Sequence, residues 1–386
     1  MTTPRIEQFS ELLAERAGPC LSLYLPTAGR SSDWQQPIKA FRSLLHHADR
    51  ALGRELPDHA RTELMAPLHA LAANERFWTH TLIGLAVLRA PDFYKVYKLQ
   101  RQVPERAIVA DSFHLKPLLR ITQSADRFEV LALTREHVRY FHGNRDALDE
   151  VELHPGVPRT LAEALGRPVT LPKHDGLAGM DTMGQEPTGV SLRHGSGTRT
   201  DEQEKDTARF FRAVDRAICE HHSKRSGVPL ILAALAEHHT TFRSLSHNAQ
   251  LLGDGIIGNP EAFSADDLRQ KAWALFEPRY HERLTTLVEE FGAGQARHLA
   301  SDAIDDVALA ALGGRVRTLL VDTDRVIPGR INRDTGIITP GSLADAHSDD
   351  ILDDLAELTL RMGGDVVMVP SPRMPTETGI AAIYRF

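Results

Sequence analysis

The sequence predicts a mixed α/β protein of three domains, and three observations carry that prediction. Its 386 residues exceed what one ordinary core organises, so two or three domains are expected. Short apolar runs of strand character alternate with stretches of helical periodicity along the chain. Two stretches rich in turn formers, Pro104-Glu105-Arg106 and Leu251–Pro260, divide it into segments 1–104, 105–260 and 261–386.

The first segment opens with a short helical pattern over 5–17, broken by Gly18-Pro19. Cys20–Thr27 (CLSLYLPT) then alternates like a strand. Helices are expected over 37–54 and 57–73, followed by the strands LIGLAVLRAP and FYKVYKL. In the second segment FHLKPLLRI (Phe113–Ile121), RFEVLALT (Arg127–Thr134) and HVRYFHG (His137–Gly143) read as a meander of strands. Asp149–Leu153 is a further strand candidate, and Val157–Leu165 a short helix ended by Gly166. Between Arg167 and Arg199 the chain is rich in Gly, Pro, Thr and Met, with the length of a functional loop. A long helix and the buried strand VPLILAAL follow, so a mixed sheet with helices against it is expected. In the third segment Ser264 caps a helix over 265–291, which Pro278 should kink or split. Helices at Asp302–Leu312 and Asp349–Met362 each end in a Gly-Gly pair and lead into the strands VRTLLVD and DVVMVP. With the closing strand GIAAIYRF they make a small α/β/α sandwich.

Hydrophobic residues at 42% and charged residues at 25% are the proportions of a soluble globular protein. Cys20 and Cys219 offer neither a disulfide framework nor a zinc pattern, which suits a reducing cytoplasm. The N-terminus lacks the basic-then-apolar pattern of a secretory signal, and no run nears the ~20 apolar residues of a membrane span, so a cytoplasmic protein without membrane contact is expected. Phe263–Phe386 carries 20 acidic against 13 basic residues, which accounts for the whole net charge of −7. RNA contacts are therefore expected from the first two thirds.

No GxSxG elbow, P-loop, strand-borne GxGxxG or HExxH occurs, and no cofactor or metal is implied. The pairs His46-His47, His221-His222 and His238-His239 are poor chelators, because adjacent side chains diverge by about 100° in a helix and oppose each other in a strand. The most informative stretch is Gly189–Arg225. Arg193, His194, Gly195, Ser196, Gly197, Thr198 and Arg199 form a glycine-rich basic loop, and Thr200–Lys224 an amphipathic helix with Thr200 as N-cap. Phe211, Val214 and Ile218 make its apolar face, and Lys205, Arg209, Arg212 and Arg216 a basic stripe on another. The stripe could grip an RNA backbone; the plain alternative is an ordinary solvated face.

The order of these parts resembles the archaeo-eukaryotic class-1 peptide release factors and pelota. A meander ending in YFHGN, a long loop, a His-Gly-x-Gly tip, a long charged helix and the strand LILAAL resemble their middle domain, which implies an RNase H-like sheet there. ALGGRVRTLLVDTD and LRMGGDVVMVPS…GIAAIYRF are similar to their third domain. With GPCLSLYLPT and RFFRAVDRAI, the chain looks like one of the bacterial families of archaeo-eukaryotic release factor-like proteins, over about residues 10–386.

In release factors the tip reads His-Gly-x-Gly-Gly-Gln, whose glutamine positions water at the peptidyl-tRNA ester. His194, Gly195 and Gly197 match it, but Thr198 and Arg199 stand where Gly and Gln belong. Gln185, in Met183-Gly184-Gln185, is a poor substitute by alignment. The resemblance thus implies a ribosome-binding factor that meets rRNA in the A site, in rescue or hibernation, without its own chemistry. A peptidyl-tRNA hydrolase using His194, Ser196 or Gln185 is the second reading, and a protein-interaction scaffold unrelated to translation the third. Asp349, Asp350, Asp353, Asp354 and Glu357 crowd one helix, and an acidic surface there would suit a ribosomal protein or a delivering translational GTPase.

Overall fold

The computed structural model describes residues 9–27, 35–99, 101–123, 126–166, 196–342 and 348–386. They form two compact units, one made of Met1–Asp126 with Pro278–Phe386, the other of Arg127–Glu277. The architecture is mixed α/β with several sheets, as the alternation of strand and helix patterns predicts.

After the short α1 (Phe9–Leu12) comes β1 (Cys20–Pro26). Then follow α2 (Gln35–Leu52), α3 (Asp58–Ala73), α4 (Glu75–Trp78), β2 (Gly84–Ala90), β3 (Phe93–Leu99) and β4 (Arg106–Ala110). The four strands make an antiparallel sheet in the order β3-β2-β1-β4, so this sheet continues past Pro104. β1 is buried at every position but its last because both faces are covered. Leu21, Leu23 and Leu25 pack with Phe41, Leu45 and Leu68 of α2 and α3. Cys20 and Tyr24 join the opposite core, which also holds Leu319 and Leu355 from the far end of the chain.

The expected strand Phe113–Ile121 is instead part of a turn and a helix, α5 (Lys116–Thr122). Pro117 sits in the first turn, where a missing N–H costs nothing, and its fixed φ suits the helix. A short apolar run fits either period, and here helical spacing buries Leu115, Leu118 and Leu119 together.

The second unit holds β5 (Phe128–Leu133), β6 (Val138–Gly143), β7 (Leu148–Val151), α6 (Leu161–Leu165) and α7 (Ser196–Ile218). A π-helical turn, Cys219–Ser223, leads into α8 (Lys224–Ser226), then β8 (Leu230–Ala234), α9 (Ala236–Leu245) and β9 (Leu251–Ile257). The sheet order is β7-β6-β5-β8-β9, with β5, β6 and β7 antiparallel and β5, β8 and β9 parallel. Leu251–Ile257, expected to be a boundary, is thus the edge strand. Its Gly255 lies so close to β8 that a Cβ would meet the Leu232 carbonyl at 2.6 Å, so glycine is there for close approach rather than for a linker.

α10 (Ala265–Gln295) runs as one helix with Pro278 inside it, so of the expected kink or split the split does not occur. A proline removes one i→i−4 bond, and the buried Ala272, Phe276, Tyr280 and Leu284 anchor the helix on both sides of it. Beyond it lie β10 (Ala300–Ser301), α11 (Ile304–Leu312), β11 (Val316–Asp322), β12 (Pro328–Ile331), β13 (Ile338–Pro340), β14 (Asp349–Asp350), α12 (Ile351–Arg361), β15 (Asp365–Val369) and β16 (Ile380–Tyr384). They make a sheet of order β10-β16-β11-β15, in which β11 and β15 are parallel, and a small sheet β13-β12-β14. Gly314 and Gly363, both at positive φ, follow α11 and α12 as the Gly-Gly pairs predict. Among the described residues no helix is long and apolar enough to cross a membrane.

Candidate nucleic-acid interface

α7 owes its position to its apolar stripe. Phe210, Phe211, Val214 and Ile218 are wholly buried against Leu131, Tyr140 and Leu232 of the sheet. Each such side chain is worth roughly 1.5–3 kcal/mol of burial. Asp215, next to this stripe, accepts hydrogen bonds from the Ser246 hydroxyl at 2.5 Å and the His247 amide at 3.1 Å, tying α7 to the end of α9. The helix begins four residues before the expected N-cap Thr200, so Ser196, Gly197, Thr198 and Arg199 belong to its first turn. Propagation adds a hydrogen bond for every residue fixed, against about 1 kcal/mol for the glycine. Gln185, Arg193, His194 and Gly195 lie outside the described residues.

Lys205, Arg209, Arg212 and Arg216 are all exposed. At about 100° per residue they fall within about 60° of one another, along roughly 17 Å of helix. Arg209 meets Asp206 at 3.3 Å, an exposed pair of small energy. Among the described residues Lys205, Arg212 and Arg216 have no ion pair, so this face holds cations that no acid there neutralises.

Beside the start of the stripe, between α7 and α9, lies a cavity of about 610 Å³ lined by Arg135, Lys205, Thr207 and His238, with Glu204 and Glu237. His238 packs edge-on against Phe211, with ring centroids 5.4 Å apart. Burial lowers its pKa, which favours the neutral imidazole. The adjacent His239 turns elsewhere, its Nε2 2.9 Å from the Ile256 carbonyl. At the other end of α7, His221 stacks on His154 at 3.9 Å while His222 packs on Tyr140 at 4.6 Å. Both adjacent pairs thus diverge as the helix geometry requires. Tyr140 donates its hydroxyl to Glu129 Oε2 at 2.5 Å, and burial raises the pKa of that carboxyl.

The acidic helix departs from the expectation of a partner surface. Asp349, Asp350, Asp353 and Glu357 are at most 3% exposed, so they form no surface for a basic partner. They satisfy buried donors instead. Asp353 accepts the amides of Leu115, at 2.9 and 3.0 Å, and of Lys116. Lys116 Nζ donates to Asp350 Oδ2 at 2.9 Å, and His114 Nδ1 lies 2.8 Å from Asp349 and 3.4 Å from Asp353. Asp354 accepts the Ile331 amide at 2.8 Å, and Glu357 pairs with Arg333 at 2.8 Å and Arg361 at 3.0 Å. Burial alone would push the His114 pKa down, but Asp353 and Asp349 carry it up to about 10. Burial pushes Glu357 up to about 7.

His114, Asp349 and Asp353 are the one group among the described residues whose ligand atoms, within 4.8 Å of one another, could hold a metal ion. Their separations are those of hydrogen bonds, and Asp353 already accepts two amides. The arrangement is that of an imidazolium held between two carboxylates, a clamp between the first and last parts of this unit. Nothing in the sequence signals it, since His114 and its acids are remote along the chain.

Several solved structures resemble the chain. A model of ribosome-bound archaeal Pelota and ABCE1 is 12% identical with a TM-score of 0.39, the match covering 99% of this chain and 95% of that one. Archaeal translation termination factor aRF1 is 15% identical with a TM-score of 0.26, covering 98% and 96%. Dom34 of S. cerevisiae, a translation termination-like factor, is 11% identical with a TM-score of 0.36, covering 79% and 74%. No curated protein matches. Residues 127–315, which contain the whole second unit with α7 and its stripe, match the model of the bacterial archaeo-eukaryotic release factor family 3, and over that stretch the chain is release factor-like.

Proposed function

We propose that the protein is a ribosome-associated translation factor that grips rRNA through α7 and acts in rescue or hibernation of ribosomes without releasing peptide. The observation that carries this reading is the exposed row Lys205, Arg209, Arg212 and Arg216 inside the stretch that matches the release factor family. Four cations on one face suit a phosphate backbone, and three of them have no acid to displace first.

The absence of chemistry rests on the tip sequence. Thr198 and Arg199 replace the Gly and Gln that the active family uses. A guanidinium has no acceptor and stays protonated, so Arg199 cannot act as a base. It suits a grip on a phosphate of rRNA or of a tRNA 3′ end.

Ribosome cosedimentation at several salt concentrations tests the stripe. Arg209→Glu with Arg212→Glu is expected to weaken binding and to lower the slope of log K against log salt by about 0.7–0.9 for each phosphate the protein no longer neutralises. Unchanged affinity in the double variant would make the stripe an ordinary solvated face. A single-turnover assay tests the tip: wild-type protein is expected to leave peptidyl-tRNA intact on ribosomes. Release that His194→Ala or Gln185→Ala abolishes would instead make the protein a peptidyl-tRNA hydrolase.

A further inference from the structure

Within the unit formed by the two ends of the chain, the start of β4, the residues of α5 and the turn after β11 enclose a cavity of about 260 Å³. Arg101, Arg106, Lys116 and Arg120 line it, with Asp324 and Asp350 as its acids. Both acids already have partners. Asp350 Oδ1 accepts the amides of Ile327 at 3.0 Å and Leu352 at 3.1 Å, and its Oδ2 accepts Lys116 Nζ. Asp324 accepts Arg120 Nη1 at 3.1 Å and the Thr323 hydroxyl at 3.1 Å.

Arg101 is engaged with Asp126 at 3.0 Å and with the Arg120 carbonyl, but the other three cations are less fully engaged. The Arg106 guanidinium makes no hydrogen bond or ion pair among the described residues. Lys116 donates to Asp350 and to the Arg325 carbonyl, which leaves one of its three N–H groups. Arg120 makes one bond, in a pair whose side chains are 38% and 56% exposed, so an anion can draw it away at little cost. The wall therefore offers unused, charge-assisted donors around a space too small for a whole nucleotide triphosphate and suited to a phosphate group.

We propose that this cavity binds a phosphate group, with Arg106 and Arg120 as its principal donors. A planar guanidinium matches two phosphate oxygens at once, and two of them converging on one space is the arrangement that recognises such an anion. The occupant is either a free phosphate or pyrophosphate, or a phosphodiester of RNA reaching into the cavity; the chemistry is the same.

Isothermal titration of the full-length protein with inorganic phosphate, with pyrophosphate and with a short RNA oligonucleotide tests this. Wild-type protein is expected to bind at least one of them with a dissociation constant at or below about 1 mM. Arg106→Gln and Arg120→Gln should each weaken that binding about tenfold or more, because each removes a charge-assisted hydrogen bond. Both substitutions leave the Asp350 and Asp353 contacts in place, so unliganded thermal unfolding should match wild type and separate loss of binding from loss of fold. Competition between oligonucleotide and pyrophosphate, abolished in both variants, assigns the site to an RNA phosphate; binding of the free anions alone assigns it to a small ligand. No binding of any of the three by wild type, or binding by both variants equal to that of wild type, would overturn the proposal.

Discussion

Asp353→Ala is expected to destabilise the unit built from Met1–Asp126 and Pro278–Phe386 by about 3–5 kcal/mol, the cost of breaking a buried ion pair from one side. The carboxylate is wholly buried and accepts the amides of Leu115 and Lys116 while facing the His114 imidazole. Removing it orphans two buried backbone donors, at about 1–3 kcal/mol each, and leaves the imidazolium with Asp349 alone; these losses together make up that cost. Asp334→Ala, at an exposed position of the same unit, should stay within about 0.5 kcal/mol of wild type. The shift in urea midpoint of both variants is the measurement. Equal, small shifts would mean that the acidic helix is solvated after all and free to meet a basic partner.

The same clamp should make this unit lose stability as the solution turns alkaline. His114 has its pKa raised from 6.5 to about 10, so the folded state holds a proton there that the unfolded chain releases. A raised pKa gives stability that is fully present below pH 6.5 and is lost as pH climbs through 10. Glu357, raised from 4.5 to about 7, acts with the same sign in the earlier window between those values. Above pH 7 the folded state still holds the His114 proton, and one proton corresponds to about 1.4 kcal/mol per pH unit. Denaturant midpoints between pH 7 and 9.5 should fall steadily in wild type and much less in His114→Gln, whatever the variant's absolute stability. The other groups around this imidazole, Tyr24, Lys116, Asp349, Asp350 and Asp353, stay the same in both proteins. Identical slopes would show His114 to be neutral and the clamp to be an ordinary hydrogen-bonded core.

Several elements were legible because local pattern and burial agree in them. The spacing of Phe211, Val214 and Ile218 identifies the buried face of α7, and the same periodicity sets its basic row on the solvent side. β5, β6 and β8 read as strands because short runs rich in apolar residues are bounded there by polar turns. Gly-Gly pairs end α11 and α12 since glycine alone takes positive φ without strain. The order of the parts was enough for the family resemblance, which the match over residues 127–315 bears out.

What the sequence determined by itself is thus the order of elements, the sides of the amphipathic helices and the kinship they imply. Only the tertiary structure decided that α5 is a helix, that Leu251–Ile257 is a strand and that the acids of α12 lie inside. The reason is the same in each case. An isolated acidic helix looks alike whether water or a buried donor faces it, and the donor that settles Asp353 stands 238 residues away at Leu115. Periodicity reports which side chains share a face, whereas burial is fixed by what the rest of the chain brings against that face.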